Sequence, residues 1–486
     1  MKDKTMQNDT LPLEQVLAAI DARAPAFTAL ADRIFDMPEL RFEEVKSVAE
    51  QIAAMEAEGF AITRNVGGLP TAFMAESGDE GPCVAFLGEF DALAGLSQEP
   101  GALEPKTDTP GASGHGCGHN LLGSASALAT VGLRDALRAA GVKARVRYYG
   151  CPAEEGGSGK TYMVRAGAFD GVDAAFTWHP CVFNFVQSAV TLGNIQAYFR
   201  FTGRPSHAAM SPQVGRSALD AMELMNIGIN FMREHMPDDA RIHYSIIDGG
   251  GISPNVVQGQ AEGLYLIRAP RSEDVESLYA RVTRIAEGAA LMTDTTFEVF
   301  LDRVTAEMLP NRPLEEAMQR KFDEIGAPPF DKADFAFGDA LQKAALTQED
   351  IDACAVAYGG PDDYSKSFHD AVLPIAAKPG VLMGSTDVAD VSWVVPTAQC
   401  LTATHAIGTP FHAWQTVTQG KLPSAHKAMV TASKVMAATA LEAVQDPDLL
   451  RRAREELTKR LKGRDYFQRS TLNADLTPPT SSVRQH

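Results

Sequence analysis

A thiol and an imidazole stand two residues apart in Gly114-His-Gly-Cys-Gly-His-Asn-Leu-Leu-Gly-Ser124, at Cys117 and His119. Soft and borderline donors on a glycine-rich turn, with a helical pattern over 121–140 directly after, are suited to a transition metal. Two adjacent carboxylates, Glu154 and Glu155, follow the strand-like stretch 145–150. Neighbouring residues point in different directions, so one carboxylate can bind metal while the other takes the proton of an activated water, a split that metal-assisted hydrolysis requires. His179 ends a third apolar run, 174–178, and His412 lies in Gly408-Thr-Pro-Phe-His-Ala-Trp-Gln415. Cys117, His119, Glu155, His179 and His412 make five ligands, a set that suits two metals about 3.5–4 Å apart. Asp91, two residues after Glu89, is placed to orient one of the ligands. Gly156-Gly-Ser-Gly-Lys160-Thr161 resembles a phosphate loop only superficially: the first glycine of that motif would fall on Glu154, and an acidic pair repels phosphate.

The elements that must position these groups follow from periodicity. Three short stretches, the apolar run 82–88 with 145–150 and 174–178, read as buried strands, and each is followed at once by candidate ligands or bases. Helical patterns separate them, which predicts an α/β fold with a mixed, largely parallel sheet flanked by helices and the site at the carboxyl ends of its strands. From about residue 189 the texture changes to alternating strands (195–202, 242–247, 262–267, 297–301) and two helices (217–234, 275–291). This predicts an inserted α+β domain over 191–305, with 1–190 and 306–486 forming the metal-binding domain. Residues 311–367 resist assignment, 383–415 read as loop-rich, 423–444 as a long helix, and the tail after Leu461 as polar and poorly ordered.

Bulk properties narrow the partners. The formal net charge of -18 makes nucleic acid and anionic membrane poor partners. No apolar segment is long enough to span a membrane, and no secretion signal is evident at the start. Six scattered cysteines in a chain of 486 residues fit a reduced, cytoplasmic setting rather than a disulfide framework.

The chain resembles the dinuclear-metal amidohydrolase family of aminoacylases, hippurate hydrolase, auxin-conjugate hydrolases and glutamate carboxypeptidases. The matching pieces run in family order: Pro38-Glu-Leu-Arg-Phe-Glu-Glu44, Gly88-Glu-Phe-Asp-Ala-Leu-Ala-Gly-Leu96, Gly114-His-Gly-Cys-Gly-His-Asn120, Pro152-Ala-Glu-Glu-Gly156, Thr177-Trp-His-Pro180, Ser206-His-Ala-Ala209, Gly251-Ile-Ser-Pro-Asn-Val-Val257, Gly384-Ser-Thr-Asp387 and Gly408-Thr-Pro-Phe-His412. By this resemblance Cys117 bridges two divalent ions, Mn²⁺ or Zn²⁺, and His119, Glu155, His179 and His412 complete the sites. Glu154 is the expected general base. The inserted domain is the expected lid and homodimer contact, its His207 reaching the partner's active site to steady an oxyanion. Asn255 and Arg268 are the expected grip on a substrate carboxylate, and His115 and His405 are expected to be supporting residues. The expected substrate is a small N-acyl amino acid, p-aminobenzoyl-glutamate foremost, with general aminoacylase or indole-acetyl-amino-acid hydrolysis as the alternative. A non-catalytic subunit of a hetero-oligomer is the rival from another class, and retention of Glu154 with all five ligands argues against it. Two departures stand out: Asn120 where many members have Asp, and Thr386-Asp387-Val388 where many have Glu-Asp-Phe.

Overall fold

A computed structural model describes residues 11–107, 109–360 and 365–468. Among them the strands, in chain order, are β1 (Ala61–Arg64), β2 (Phe73–Ser77), β3 (Cys83–Glu89), β4 (Arg145–Cys151), β5 (Ala174–Cys181), β6 (Phe185–Val186), β7 (Ala189–Thr191), β8 (Gly193–Thr202), β9 (Arg241–Asp248), β10 (Gln260–Ala269), β11 (Thr296–Thr305), β12 (Gly380–Leu382) and β13 (Thr397–Ala403). Seven form one sheet in the order β1-β2-β4-β3-β5-β13-β6. Its centre, β4, β3, β5 and β13, is parallel, and β1, β2 and β6 join antiparallel at the edges. Every residue of β3 and of β13 is buried, as expected of strands covered on both faces.

The helix His119–Ala140 makes the crossover from β3 to β4 and packs against the helices Leu13–Phe35 and Pro423–Gln445. Small residues permit that approach: a Cβ on Gly132 would lie 2.4 Å from Ile20 Cγ1. Helix, strand and terminal helix share one apolar core that includes Phe86, Leu128, Phe176 and Met436.

A second sheet, antiparallel in the order β11-β8-β10-β9, carries the helices Ala218–Met232 and Ser272–Thr293 on one face. Alternation explains the arrangement: Ile195, Ala197, Phe199 and Phe201 of β8 pack in a core with Met222, Ile229, Leu278 and Val282 of those helices. Asn194, Gln196, Tyr198 and Arg200 point to the opposite face.

The structure fills in one stretch left unassigned and refines two expectations. The stretch 383–415 is not simply loop: β13 within it pairs with β5 in the middle of the main sheet. Residues 311–367 contribute the helices Arg312–Ile325, Lys332–Ala345 and Gln348–Tyr358, the last two opened by capping boxes at Asp331 and Thr347. The chain after Leu461 is docked at least to residue 468, for Tyr466 is buried and its hydroxyl donates to Asp390 at 2.6 Å; residues 469–486 lie outside the described residues. Among the described residues no helix is long and apolar enough to cross a membrane.

Candidate active site

The carboxyl ends of β3, β4 and β5 converge with the start of the helix His119–Ala140. Gly118, the residue before that helix, has φ +79, and a Cβ there would meet Pro180 at 2.9 Å, so this turn admits glycine in both conformation and space. It sets Cys117 and His119 facing β5, where Cys117 Sγ lies 3.4 Å from His179 Nε2. After β4 the chain turns through Ala153 (φ +59) and Ser158 (φ +56) and presents Glu154 and Glu155 between them. His412, also left-handed at φ +57, brings its Nε2 to 3.3 Å from Glu155 Oε2.

Three groupings result whose donor atoms lie within 4.8 Å of one another: Cys117 with His119 and His179, Cys117 with Glu155 and His412, and Glu89 with His119 and Glu154. The five ligands read from the sequence are therefore together, and Cys117 belongs to two groupings. Asp91 supports them from below. Its Oδ1 lies 3.0 Å from His119 Nδ1, and its Oδ2 accepts the Glu155 backbone N–H at 2.9 Å. With Nδ1 so engaged, His119 Nε2 faces the site, buried and without a hydrogen-bond partner, as is Glu155 Oε1. His179 is fixed likewise, its Nδ1 lying 2.7 Å from the Pro180 carbonyl oxygen. Two imidazoles each held by Nδ1, one with a bare Nε2 and the other with its Nε2 against the Cys117 thiol, beside an orphaned carboxylate oxygen, fit a cation.

The electrostatics agree. Burial, then the Glu155 carboxylate, pushes the Cys117 thiol well above its ordinary value. Burial together with Glu89, Glu155 and Asp387 does the same to Glu154. Burial and the neighbouring His119 hold His179 down to about 4, leaving a neutral imidazole. Burial opposes a charge on His119, but Cys117 and Asp91 hold its affinity for a proton well above the ordinary value, and a site so crowded with acidic groups is one that a divalent cation stabilises.

Several buried groups escaped the sequence reading. Lys160 is fully buried and bridges Glu89 Oε1 at 2.5 Å and Asp387 Oδ1 at 2.6 Å, so the Gly-Lys-Thr run is an internal clamp. Glu44 accepts the Ala153 N–H at 2.8 Å, and burial, then Asp91, raises it to about 8. Both sat within quoted motifs, but nothing in their spacing revealed that they point inward. His115 is buried with its Nε2 3.1 Å from the Ile34 carbonyl oxygen, and His405 with its Nδ1 3.0 Å from Thr404 Oγ1; both stay outside the groupings. Asn120 is buried too and donates to the Gly420 carbonyl at 3.0 Å, a helix-packing contact.

The second sheet places its candidates in two locations. Arg268 on β10 is half-buried, and its Nε is buried without a partner. His207 and Asn255 sit together in exposed loops, and neither belongs to the groupings: His207 pairs as an isolated bridge with Val256, and the Asn255 carbonyl accepts the Ala208 N–H at 2.9 Å. The His207 Nδ1 accepts the N–H groups of Ala209 and Met210, which leaves Nε2 facing outward.

A sheet with carboxylates, imidazoles and a thiol gathered at its strand ends, capped by a separate sheet-and-helix unit, defines a metal-dependent amidohydrolase of the metallopeptidase type. Residues 191–293 match the model of the peptidase dimerisation domain. The chain is 50% identical over 448 residues to a p-aminobenzoyl-glutamate hydrolase subunit of Escherichia coli, covering 90% of this chain and 93% of that one. It is 30% identical to the Xaa-Arg dipeptidase of Mus musculus over 91% of each chain. A solved dinuclear metal-binding peptidase from Bacillus subtilis shares the fold, with a TM-score of 0.55 at 18% identity over 87% of this chain and 99% of that one. The chain belongs to the M20 peptidase family.

Proposed function

We propose that this hydrolase cleaves the amide of an N-acyl amino acid, p-aminobenzoyl-glutamate foremost, giving p-aminobenzoate and glutamate. The observation that carries the reading is the pair of ligand groupings sharing Cys117, with the half-buried Glu154 beside them. The relative at 50% identity, named for that substrate, supports the choice of amide. Cys117, His119, Glu155, His179 and His412 would hold two divalent ions, Zn²⁺ by the thiol and imidazole donors or Mn²⁺ by the carboxylate. When bound, such ions supply hydroxide at neutral pH and polarise a carbonyl. Glu154 takes the proton of the attacking water and returns it to the leaving amine. Burial, then Glu89, Glu155 and Asp387, raises its proton affinity, which suits a group that must hold a proton between the two steps. Asp91 keeps the His119 ring in place. Arg268 holds a substrate carboxylate, and Asn255 does so from the lid loop. His207, exposed and outside the groupings of its own chain, serves the active site of a second copy, which makes the working unit a homodimer joined through the domain 191–305. The domain 1–190 with 306–486 binds the metals, and the protein works in the cytoplasm. A second reading rests on the relative being named as one subunit of its enzyme: a further chain would complete the hydrolase.

The test is amide hydrolysis by chelated protein resupplied with Mn²⁺ or Zn²⁺, with Glu154→Gln alongside. Turnover of p-aminobenzoyl-glutamate restored by metal and reduced at least about a thousandfold in the variant is expected. Turnover insensitive to chelation refutes the metal assignment, and an active Glu154→Gln refutes the base.

A further inference from the structure

Arg303 lies on β11, the last strand of the second sheet, where Asp302 forms a bulge between Leu301 and Arg303. Bulges re-aim side chains, and this one restores Arg303 to register with Gln196 while Leu301 pairs with Ala197. On the other side of β8, Arg268 of β10 pairs with Asn194. Directly paired residues share a face, as do residues two apart, so Arg303, Gln196, Asn194 and Arg268 all project from the face opposite the helices.

That face meets the metal-ligand cluster. Arg303 Nη1 reaches the Glu155 backbone carbonyl at 3.4 Å. Its Nε, like that of Arg268, is buried with no partner. Among the described residues neither arginine has a carboxylate within ion-pair distance, whereas Asp302 beside them is engaged by Arg41 and Gln196. Each feels burial as its largest perturbation; Arg268 feels the like charge of Arg303 next, whereas Arg303 feels the Glu154 and Asp302 carboxylates beyond ion-pair distance and then Arg41. Asn194 adds a buried amide oxygen without a partner. Two partly buried cations with bare nitrogens, side by side against a hydrolytic centre, are costly unless an anion arrives to pair with them.

We propose that Arg303 and Arg268 form a two-cation cradle for the two carboxylates of an acidic leaving amino acid, Arg303 taking the side-chain carboxylate and so setting the preference for a dicarboxylic residue. This rests on the amide-hydrolase reading for its kinetics but not for its binding. Guanidinium forks match carboxylates in bidentate geometry, and a site built to pair a charge rejects the neutral isostere. The p-aminobenzoyl-glutamine analogue differs from the glutamate compound only by an amide in place of the side-chain carboxylate, which makes it the discriminating probe.

Two measurements on the metal-loaded full-length protein decide the matter. In calorimetry, wild type binds L-glutamate at least about tenfold more tightly than L-glutamine, Arg303→Gln binds both alike, and Arg303→Lys retains part of the preference. In kinetics, Arg303→Gln raises KM for p-aminobenzoyl-glutamate about ten- to a hundredfold and leaves the glutamine analogue within about threefold. Equal binding of glutamate and glutamine by wild type overturns the cradle, and so does an equal loss on both substrates in Arg303→Gln, which would mark Arg303 as a support for Glu154 and Glu155. Absence of turnover in wild type, with selective glutamate binding intact, counts against the amide assignment and for the cradle.

Discussion

Asp91 shows how one side chain can govern a site that it does not itself line. It holds His119 through Nδ1 and the Glu155 backbone through the N–H, so two ligands depend on it. Asp91→Asn keeps the shape and loses the charge; metal affinity, read by competition with a chromophoric chelator, should fall about 10–100-fold. His115 supplies a pH signature. Burial, then His119, lowers its pKa to about 4, below the unfolded value near 6.5. The unfolded chain therefore takes up a proton first on acidification: stability from this group is complete above pH ~6.5 and is lost toward pH 4, at up to about 1.4 kcal/mol per pH unit. In chelated protein, His115→Gln should flatten the dependence of the urea midpoint on pH across that window by one proton. The ligands were legible in the sequence because thiol, imidazole and paired carboxylate are rare at strand ends. Glu44, Lys160 and Arg303 were not, because an ordinary charged residue reveals its burial only when the chain around it is folded.

Among the elements, the short helix Gly159–Arg165 is tied into the site by its second residue. Lys160 joins the end of β3 through Glu89 to the residue before the helix Val388–Ser392 through Asp387, and its backbone N–H also donates to Asp387 at 2.9 Å. Lys160→Met should cost about 3–5 kcal/mol in denaturant unfolding, since two buried carboxylates would then face each other without a cation; an unchanged midpoint would mean that the clamp carries no net stability. The elements also show where pattern reading stops. β3 and β5 were found because short apolar runs bounded by turns mean buried strands, and β4 because its Arg-Val-Arg-Tyr-Tyr stretch ends in the Pro-Ala-Glu-Glu turn. β13 is equally buried, yet its sequence Thr-Ala-Gln-Cys-Leu-Thr-Ala is small and polar, and only its place between β5 and β6 makes it a central strand. The helix Arg312–Ile325 is clearly amphipathic, with Leu314, Ala317, Met318 and Phe322 buried, but Gln348–Tyr358 has only a weak period, and there the capping residue Thr347 was the more readable signal.

At the scale of the molecule, the second sheet-and-helix unit exposes a run of large apolar groups. Phe231 is 72% exposed, Leu291 84% and Met292 68%, with Ile246 and Ile247 on the edge strand β9. An open strand edge beside apolar helix residues is a surface that a second copy would cover, in keeping with the dimerisation-domain match. Phe231→Glu should shift the sedimentation mass toward the monomer. Because His207 is exposed and belongs to none of its own chain's donor groupings, that variant should bind metal as wild type does and still lose most of its turnover.

The ligands also come from widely separated parts of the chain: Cys117 and His412 are about three hundred residues apart. A cation held between them would act as a removable staple, closing a loop that spans most of the sequence and stitching the first half of the metal-binding sheet to the last. Scarcity of metal would then do more than silence the enzyme. It would leave the fold unpinned at its widest seam, so that the lifetime of the polypeptide, and not only its rate, would follow the supply of the ion.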